Sequence, residues 1–327
     1  MNRVAAVIVT YNSGAEIGEC LDALHGCASI IVVDNGSSDR SVAEAEKRQF
    51  VTVIANRTNV GFAAAVNQGV QACDENLILL INPDAVLLGG LSELASECEH
   101  FGIAAGKLVD QTGRVQAGFT IRRLPTPSAL IFECLGLNRL WPRNPVNQKY
   151  RYWGRDLEVS GLAEQPAGAF LMIRRDVFET LGGLDESFFP VWFEDVDLAR
   201  RAVDRGFVPR YFSGSQARHS GGHSVGKLPG ECRSLYWYVS LLRYASKHFR
   251  SIHFRAVCGA AAAGCILKVV TGFVGNRPTV AAYKRVIRLA MSSIASGVFR
   301  PEGLNFEKCS GLGGDAGTQV ASHPARQ

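Results

Sequence analysis

Between Leu77 and Ile81 the chain reads Leu-Ile-Leu-Leu-Ile and then stops on Asn82-Pro83-Asp84. A wholly apolar run of about five residues, closed by a proline that cannot continue a ladder, marks a strand buried on both faces. Such a strand needs a sheet with helices on either side. In sheets of that kind ligands bind beyond the carboxyl ends of the strands. The Asn-Pro-Asp stop is therefore either a plain turn or the place where an amide and a carboxylate meet a ligand.

The preceding sequence repeats the pattern. Runs at 4–10, 30–34 and 51–55 are rich in β-branched residues, and the stretches 15–24, 41–48 and 62–72 between them have helical periodicity. In the last of these Phe62, Ala65, Val66, Gly69 and Val70 share one face. Repeated strand–helix–strand units imply a mainly parallel, doubly wound sheet with right-handed crossovers. Beyond Lys107 the pattern loosens, and 110–165 reads as loops with short strands, suited to a variable substrate-facing region. Order returns with a strand at 166–173, a helix at 176–181 and a second helix at about 194–205. The glycine-rich tail after Pro301 reads as disordered.

Composition narrows the class. The 327 residues are 47% hydrophobic and 20% charged, enough apolar material for a large α/β core. Nine cysteines without a Cys-x-x-Cys pair give no disulfide framework and no structural zinc spacing, which favours a reducing compartment. The amino terminus reads as a first strand rather than a signal peptide. The net charge of +5 is unevenly placed: nine Lys or Arg and no Asp or Glu lie between Arg243 and Arg288, around a mostly apolar stretch at 256–275. Lys268 and four glycines in that stretch argue against a membrane span. It reads either as an amphipathic segment on an anionic membrane surface or as a helical hairpin packed on its own domain. No nucleic-acid partner is expected, and a homo-oligomer is left open.

Polar clusters close the leading strands. The first ends in Thr10-Tyr11-Asn12-Ser13 and the second in Asp34-Asn35-Gly36-Ser37-Ser38-Asp39, where the glycine permits a tight turn and Asp39 can cap the next helix. Asp34 is then either a turn aspartate or an acceptor for a ring N–H or a ribose hydroxyl. The third leads to Asn59-Val60-Gly61, with Asn59 placed to cap a helix whose first amides face the same crevice. Asn67, inside that helix, is a solvent-facing amide or a ligand contact. No Gly-x-Gly-x-x-Gly follows the first strand, which disfavours a dinucleotide enzyme. A phosphate-loop look-alike at 221–228 has Leu228 where a Ser or Thr would hold magnesium, and no buried strand before it. A nucleotidyltransferase would want a basic glycine-rich loop where this chain has Asn12-Ser13-Gly14-Ala15-Glu16.

A second constellation runs Phe188-Phe189-Pro190-Val191-Trp192-Phe193-Glu194-Asp195-Val196-Asp197. Acids at a helix start are common for dipole reasons, and that accounts for Asp197. A carboxylate beside Trp192 and Phe193 instead suits a general base facing a sugar hydroxyl, the rings offering a stacking surface on the acceptor side together with Gly168.

Taken in order, Val9-Thr10-Tyr11-Asn12, Val32-Val33-Asp34-Asn35-Gly36-Ser37-Ser38-Asp39, Asn59-Val60-Gly61-Phe62, Asn67-Gln68-Gly69, Asn82-Pro83-Asp84 and Phe193-Glu194-Asp195-Val196-Asp197-Leu198 resemble family-2 glycosyltransferases of the GT-A fold over roughly residues 3–225. The bacterial rhamnosyltransferase-like branch is the best match. The resemblance implies a GT-A-type α/β fold: a doubly wound, mainly parallel sheet with a helical C-terminal extension. It divides the chain into a nucleotide-sugar half (1–110), an acceptor-binding and catalytic half (111–245), a basic amphipathic helical segment (246–300) and a tail (301–327).

The implied activity is inverting transfer from a nucleoside diphosphate sugar, dTDP- or UDP-linked, assisted by Mg2+ or Mn2+. The branch suggests L-rhamnose from dTDP-rhamnose, moved to a lipid-linked, polyprenyl-diphosphate or cell-envelope glycan acceptor at the cytoplasmic face of the membrane. UDP-galactofuranose, a UDP-hexose or a non-catalytic nucleotide-sugar-binding role are the alternatives. By the same resemblance Thr10, Tyr11, Asn12, Asp34, Asn59, Gly61, Asn67 and Asn82 would contact the nucleotide sugar. Asp84 matches the last acid of the family's metal motif, whose first acid is here Asn82. Asp195 matches the base, with Glu194 in support. His219 resembles a late metal-ligating histidine, its alternative being an ordinary loop histidine, and His223 reads as a spectator.

Overall fold

Strand β1 (Val4–Thr10) shows why the apolar runs become a two-sided sheet. Val4, Ala6 and Ile8 point into one core, and Ala5, Val7 and Val9 into another on the opposite face. Strand β4 (Leu77–Ile81) divides in the same way, with Leu77, Leu79 and Ile81 on one side and Ile78 and Leu80 on the other. Each fully buried Leu or Ile contributes roughly 1.5–3 kcal/mol over its exposed state. A computed structural model describes residues 3–221, 226, 228–272 and 277–301. The tail beyond Pro301, His223 and most of the phosphate-loop look-alike lie outside these residues.

Helix α1 (Ile17–Asp22), strand β2 (Ser29–Asp34), helix α2 (Ser41–Glu46), strand β3 (Val51–Ala55) and helix α3 (Phe62–Gln71) complete the first half up to β4. Gly69 is the close approach between α3 and the sheet: a Cβ there would lie 2.5 Å from Val7 Cγ1. After β4 come β5 (Ala85–Gly89), α4 (Leu91–Phe101) and β6 (Ile103–Val109). The second half adds β7 (Ile121–Arg122), β8 (Gly161–Leu162), β9 (Gln165–Pro166), β10 (Phe170–Arg174), α8 (Arg175–Leu181), α9 (Glu194–Asp204) and β11 (Arg210–His219).

The main sheet runs β3-β2-β1-β4-β10-β6-β11-β5, with β8 added against β11. Strands β1 to β4 are mutually parallel, with Thr10 beside Asp34 and Val7 beside Leu80. The order reverses at β1, which is the switch point where such sheets open a crevice. Strand β10 is antiparallel to both β4 and β6. Strand β11 is parallel to β6 and antiparallel to β5.

The region 110–165 departs from the expected loops with short strands. It contains three further helices, α5 (Pro127–Cys134), α6 (Leu137–Leu140) and α7 (Pro145–Tyr150). Two of them start from Thr126 and Asn144, extended residues whose side chains accept the amides of Ala129 and Asn147, each followed by proline. Thr-Pro and Asn-Pro are helix-start signals, since a proline in the first turn loses no hydrogen bond.

The carboxyl-terminal extension is helical as expected. It comprises a helix at Gly230–His248 (αA), a long helix at Ser251–Gly272 (αB) and a third at Arg277–Ser296 (αC). Their buried side chains form one core with Phe188, Phe193 and Val196, so the extension packs on the start of α9. Lys268 turns inward, donating to the Tyr238 hydroxyl at 2.8 Å. Among the described residues αB is the one helix long and apolar enough to cross a membrane; 44% of its apolar window is buried within the protein.

Candidate active site

A cavity of about 320 Å3 opens at the switch point. Tyr11 after β1, Asn35 after β2, Asn59 and Phe62 at the start of α3, and Asn82, Pro83 and Asp84 after β4 form one wall. The other wall is made by Gly168, Trp192, Glu194 and Asp195, and His219 with Phe119 stacked on it closes the cavity beside Asp84. The sequence-predicted residues Tyr11, Asn59, Asn82, Asp84, Gly168, Trp192, Glu194, Asp195 and His219 are thus brought together.

Strand pairing explains how Asp84 and His219 meet. Ala85 is registered opposite His219 in the β5–β11 ladder, and the Ser220 amide donates to the Asp84 carbonyl at 3.1 Å. His219 Nε2 lies 3.5 Å from Asp84 Oδ1, both side chains almost fully buried. The Nε2 atom has no hydrogen-bond partner among the described residues. The Asn82 amide donates to the Ala169 carbonyl at 3.1 Å, fixing the turn against the facing wall. A buried imidazole nitrogen beside a carboxylate is a donor set that a divalent cation fits. Among the described residues no three His, Cys, Asp or Glu side chains cluster as a metal site. Mg2+ is commonly bound through one or two carboxylates, with substrate phosphates and water completing its shell.

The opposite wall carries the acids. Trp192 and Phe193 take left-handed backbone angles, φ 79° and 68°, immediately before α9 begins at Glu194. Each non-glycine residue so placed costs about 1–3 kcal/mol and persists only where its surroundings hold it. Helix αA does that: Ser240 Oγ donates to the Val191 carbonyl at 3.1 Å, and Tyr244 packs on Phe193 with ring centroids 5.6 Å apart.

Asp195 Oδ2 accepts the Gly168 amide at 3.1 Å, and Oδ1 accepts the Val196 amide at 2.8 Å. Burial lifts the Asp195 carboxyl above its ordinary range, with the Gly168 amide and Arg122 working against that rise. Glu194 is raised further, first by burial and then by the neighbouring Asp195 charge, and its Oε2 has no hydrogen-bond partner among the described residues. Asp197 belongs elsewhere. It is fully buried and accepts from Arg201 at 2.7 Å, His248 at 2.7 Å and Lys247 at 2.8 Å. Burial alone would raise its pKa, but these partners outweigh burial and hold it below the carboxylate norm.

Other expected contacts sit off the cavity lining. Asp34 accepts the Gly36 and Ser37 amides at 3.1 and 2.9 Å and holds the turn after β2, while Asn35 faces the cavity. Asn12 accepts the Ser38 amide at 2.8 Å and ties β1 to β2. Thr10 is buried beneath the floor. Asn59 accepts the Gly61 amide at 2.9 Å instead of capping α3, whose N-cap is Gly61 itself with φ 91°. Asn67 donates to the Leu184 carbonyl and to Glu186, and accepts the Leu184 amide at 3.0 Å. It fastens α3 to the loop before α9, a use neither solvent exposure nor ligand contact had suggested. Phe193 is turned into the helical core rather than toward the cavity.

Residues 5–124, which supply the Tyr11, Asn35, Asn59 and Asp84 wall, match the model of glycosyl transferase family 2. Those residues are a glycosyl transferase family 2 domain. This glycosyltransferase is 27% identical over 266 residues to an N-acetylglucosaminyl-diphospho-decaprenol L-rhamnosyltransferase of Mycobacterium tuberculosis, covering 74% of this chain and 84% of that protein. It is 25% identical over 214 residues to the low-salt glycan biosynthesis hexosyltransferase Agl10 of Haloferax volcanii, covering 62% of each. Its fold is similar to that of GalNAc-T7 in a crystal structure with UDP, GalNAc and Mn2+, at a TM-score of 0.56 and 13% identity, over 90% of this chain and 57% of that one. The glycosyltransferase has the GT-A architecture, a mostly parallel sheet flanked by helices with a helical carboxyl-terminal region.

Proposed function

We propose that this glycosyltransferase moves a sugar, with inversion, from a nucleoside diphosphate donor to a hydroxyl of a lipid-linked or cell-envelope glycan, with Asp195 as the general base. The carrying observation is the Asp195 carboxylate, held by the Gly168 amide and lining the same cavity as Asp84 and Asn82. Tyr11, Asn35 and Asn59 are placed to receive the nucleotide. Asp195 takes the acceptor hydroxyl's proton as the oxygen bonds to the anomeric carbon. The bond to the diphosphate breaks on the far side, the nucleoside diphosphate leaves with the electron pair, and the centre inverts in one displacement. A general base so positioned contributes typically 10²–10⁴-fold. Asp84 and His219 would hold Mg2+ or Mn2+, which when bound supplies Lewis-acid stabilisation of the departing diphosphate.

The M. tuberculosis relative is named for L-rhamnose transfer to a polyprenyl-diphosphate-linked sugar, which supports dTDP-rhamnose as donor and a similar lipid-linked acceptor here. The hexosyltransferase relative keeps a UDP-hexose as the second reading. The exposed faces of αB and αC support a peripheral position on the cytoplasmic leaflet. Ile252, Ile266, Leu267, Val270 and Met291 on these helices are exposed, and so are Arg255, Lys284 and Arg288. Between Cys232 and Pro301 the sequence has no acidic residue.

A panel of dTDP- and UDP-sugars with each divalent metal, read as released nucleoside diphosphate in the presence and absence of a polyprenyl-diphosphate sugar, tests the reading. Acceptor-dependent release from dTDP-rhamnose is expected. Release from none of the donors, with the folded protein in hand, would return the non-catalytic alternative.

A further inference from the structure

We propose that Gln116 is a positioning residue that fixes the tautomer and orientation of His219, leaving the Nε2 lone pair aimed at Asp84. The inference rests on the reading of Asp84 and His219 as a metal-holding pair. Gln116 lies in the loop between β6 and β7, its own amide donating to the Leu108 carbonyl at 2.9 Å. Its side chain meets His219 twice: Nε2 donates to the His219 backbone carbonyl at 2.7 Å, and Oε1 lies 3.1 Å from ring Nδ1.

The logic is one of donors and acceptors. A backbone carbonyl can only accept, so the amide nitrogen of Gln116 must face it, and the amide oxygen must then face Nδ1. An amide oxygen can only accept, so Nδ1 carries a hydrogen, and Nε2 is the ring nitrogen that faces Asp84. It is buried, has no hydrogen-bond partner among the described residues and lies 3.5 Å from Asp84 Oδ1. A ring nitrogen and a carboxylate oxygen that face each other are a favourable pair around a cation. Phe119 stacks on the ring at 5.3 Å between centroids and 7° between planes, which blocks rotation out of this geometry. One glutamine thus reads both the main chain and the ring of the same histidine.

The test uses the full-length protein and two readouts. Long-range 1H–15N spectra, with the His219 ring assigned by its loss in His219→Asn, are expected to show the proton on Nδ1 in metal-free protein. Mn2+ titration, alone and with UDP or dTDP, is expected to give at least tenfold weaker binding for Gln116→Leu, the scale seen for partners that orient metal-ligating histidines. A wild-type ring with no proton on Nδ1, or Mn2+ binding by a folded Gln116→Leu within threefold of wild type, overturns the proposal. Wild-type protein that binds no Mn2+ but carries the proton on Nδ1 overturns the metal reading and supports the orienting role of Gln116.

Discussion

The Gly168 amide donates to Asp195 Oδ2 at 3.1 Å, joining the loop before β10 to the first turn of α9. A side chain at residue 168 would press on the acid it orients, because a Cβ there would sit 3.1 Å from Asp195 Cβ. Gly168→Ala is therefore expected to lower kcat by about tenfold or more, since small misplacements of a reacting group are costly. The melting temperature should move little. An unchanged kcat would mean that the base is not held through this contact.

Removing the base itself should separate binding from chemistry. Asp195→Asn is expected to cut transfer by 10²–10⁴-fold while nucleoside diphosphate binding, followed by calorimetry, stays near wild type. Because burial lifts the Asp195 and Glu194 carboxyls, the acidic limb of wild-type kcat/KM should lie above the ordinary carboxylate range. Activity rises with pH there as the base loses its proton. The residual activity of Asp195→Asn should lack that limb.

On the donor side, Asp84→Ala is expected to abolish the dependence of donor affinity on Mn2+, leaving a weak, metal-insensitive interaction. Nucleotide binding measured over a range of Mn2+ concentrations checks this. A variant that retains the wild-type metal dependence would remove Asp84 from the cation's shell.

Asp197 carries a stability prediction. Truncation to alanine leaves Arg201, Lys247 and His248 around an empty buried position, and breaking a buried charge pair costs about 3–5 kcal/mol. Urea unfolding of Asp197→Ala at neutral pH measures it. The sign with pH follows from the lowered pKa of this carboxyl. Its stabilisation is complete above the unfolded-state value and is lost as pH falls through the folded-state value, so the wild-type advantage over the variant should shrink in acid.

The outer face of αB and αC should bind anionic vesicles more tightly than neutral ones, and less tightly in high salt. Lys284→Glu with Arg288→Glu should weaken this binding strongly, as each basic residue near such a surface is worth about 1 kcal/mol. Vesicle co-sedimentation reads the outcome. Equal binding to neutral and anionic vesicles would assign the exposed residues another partner.

The β-branched and leucine-rich strands were legible because short apolar runs of five to seven residues, bounded by polar turns, are too short for core helices. Val4–Thr10, Val51–Ala55 and Leu77–Ile81 form as their composition demands. Strand β11 was not, since Arg210, Ser213, Ser215, Gln216 and Arg218 lack an apolar period; it is a strand because β6 and β5 offer it partners. The helices at 127–134 and 145–150 were announced by Thr126-Pro127 and Asn144-Pro145. Their proline-rich surroundings masked those starts. Gln116 and Phe119 had no motif around them, and only the folded chain brings them to His219.

The register of β5 against β11 has a wider consequence. Side chains alternate across a sheet, so a slip of one residue would turn His219 to the opposite face rather than shift it slightly. The spacing between imidazole and carboxylate is thus digital: the ladder delivers the pair whole or not at all. Sequence drift in the loops can leave that spacing untouched wherever it spares the segment that carries Gln116 and Phe119.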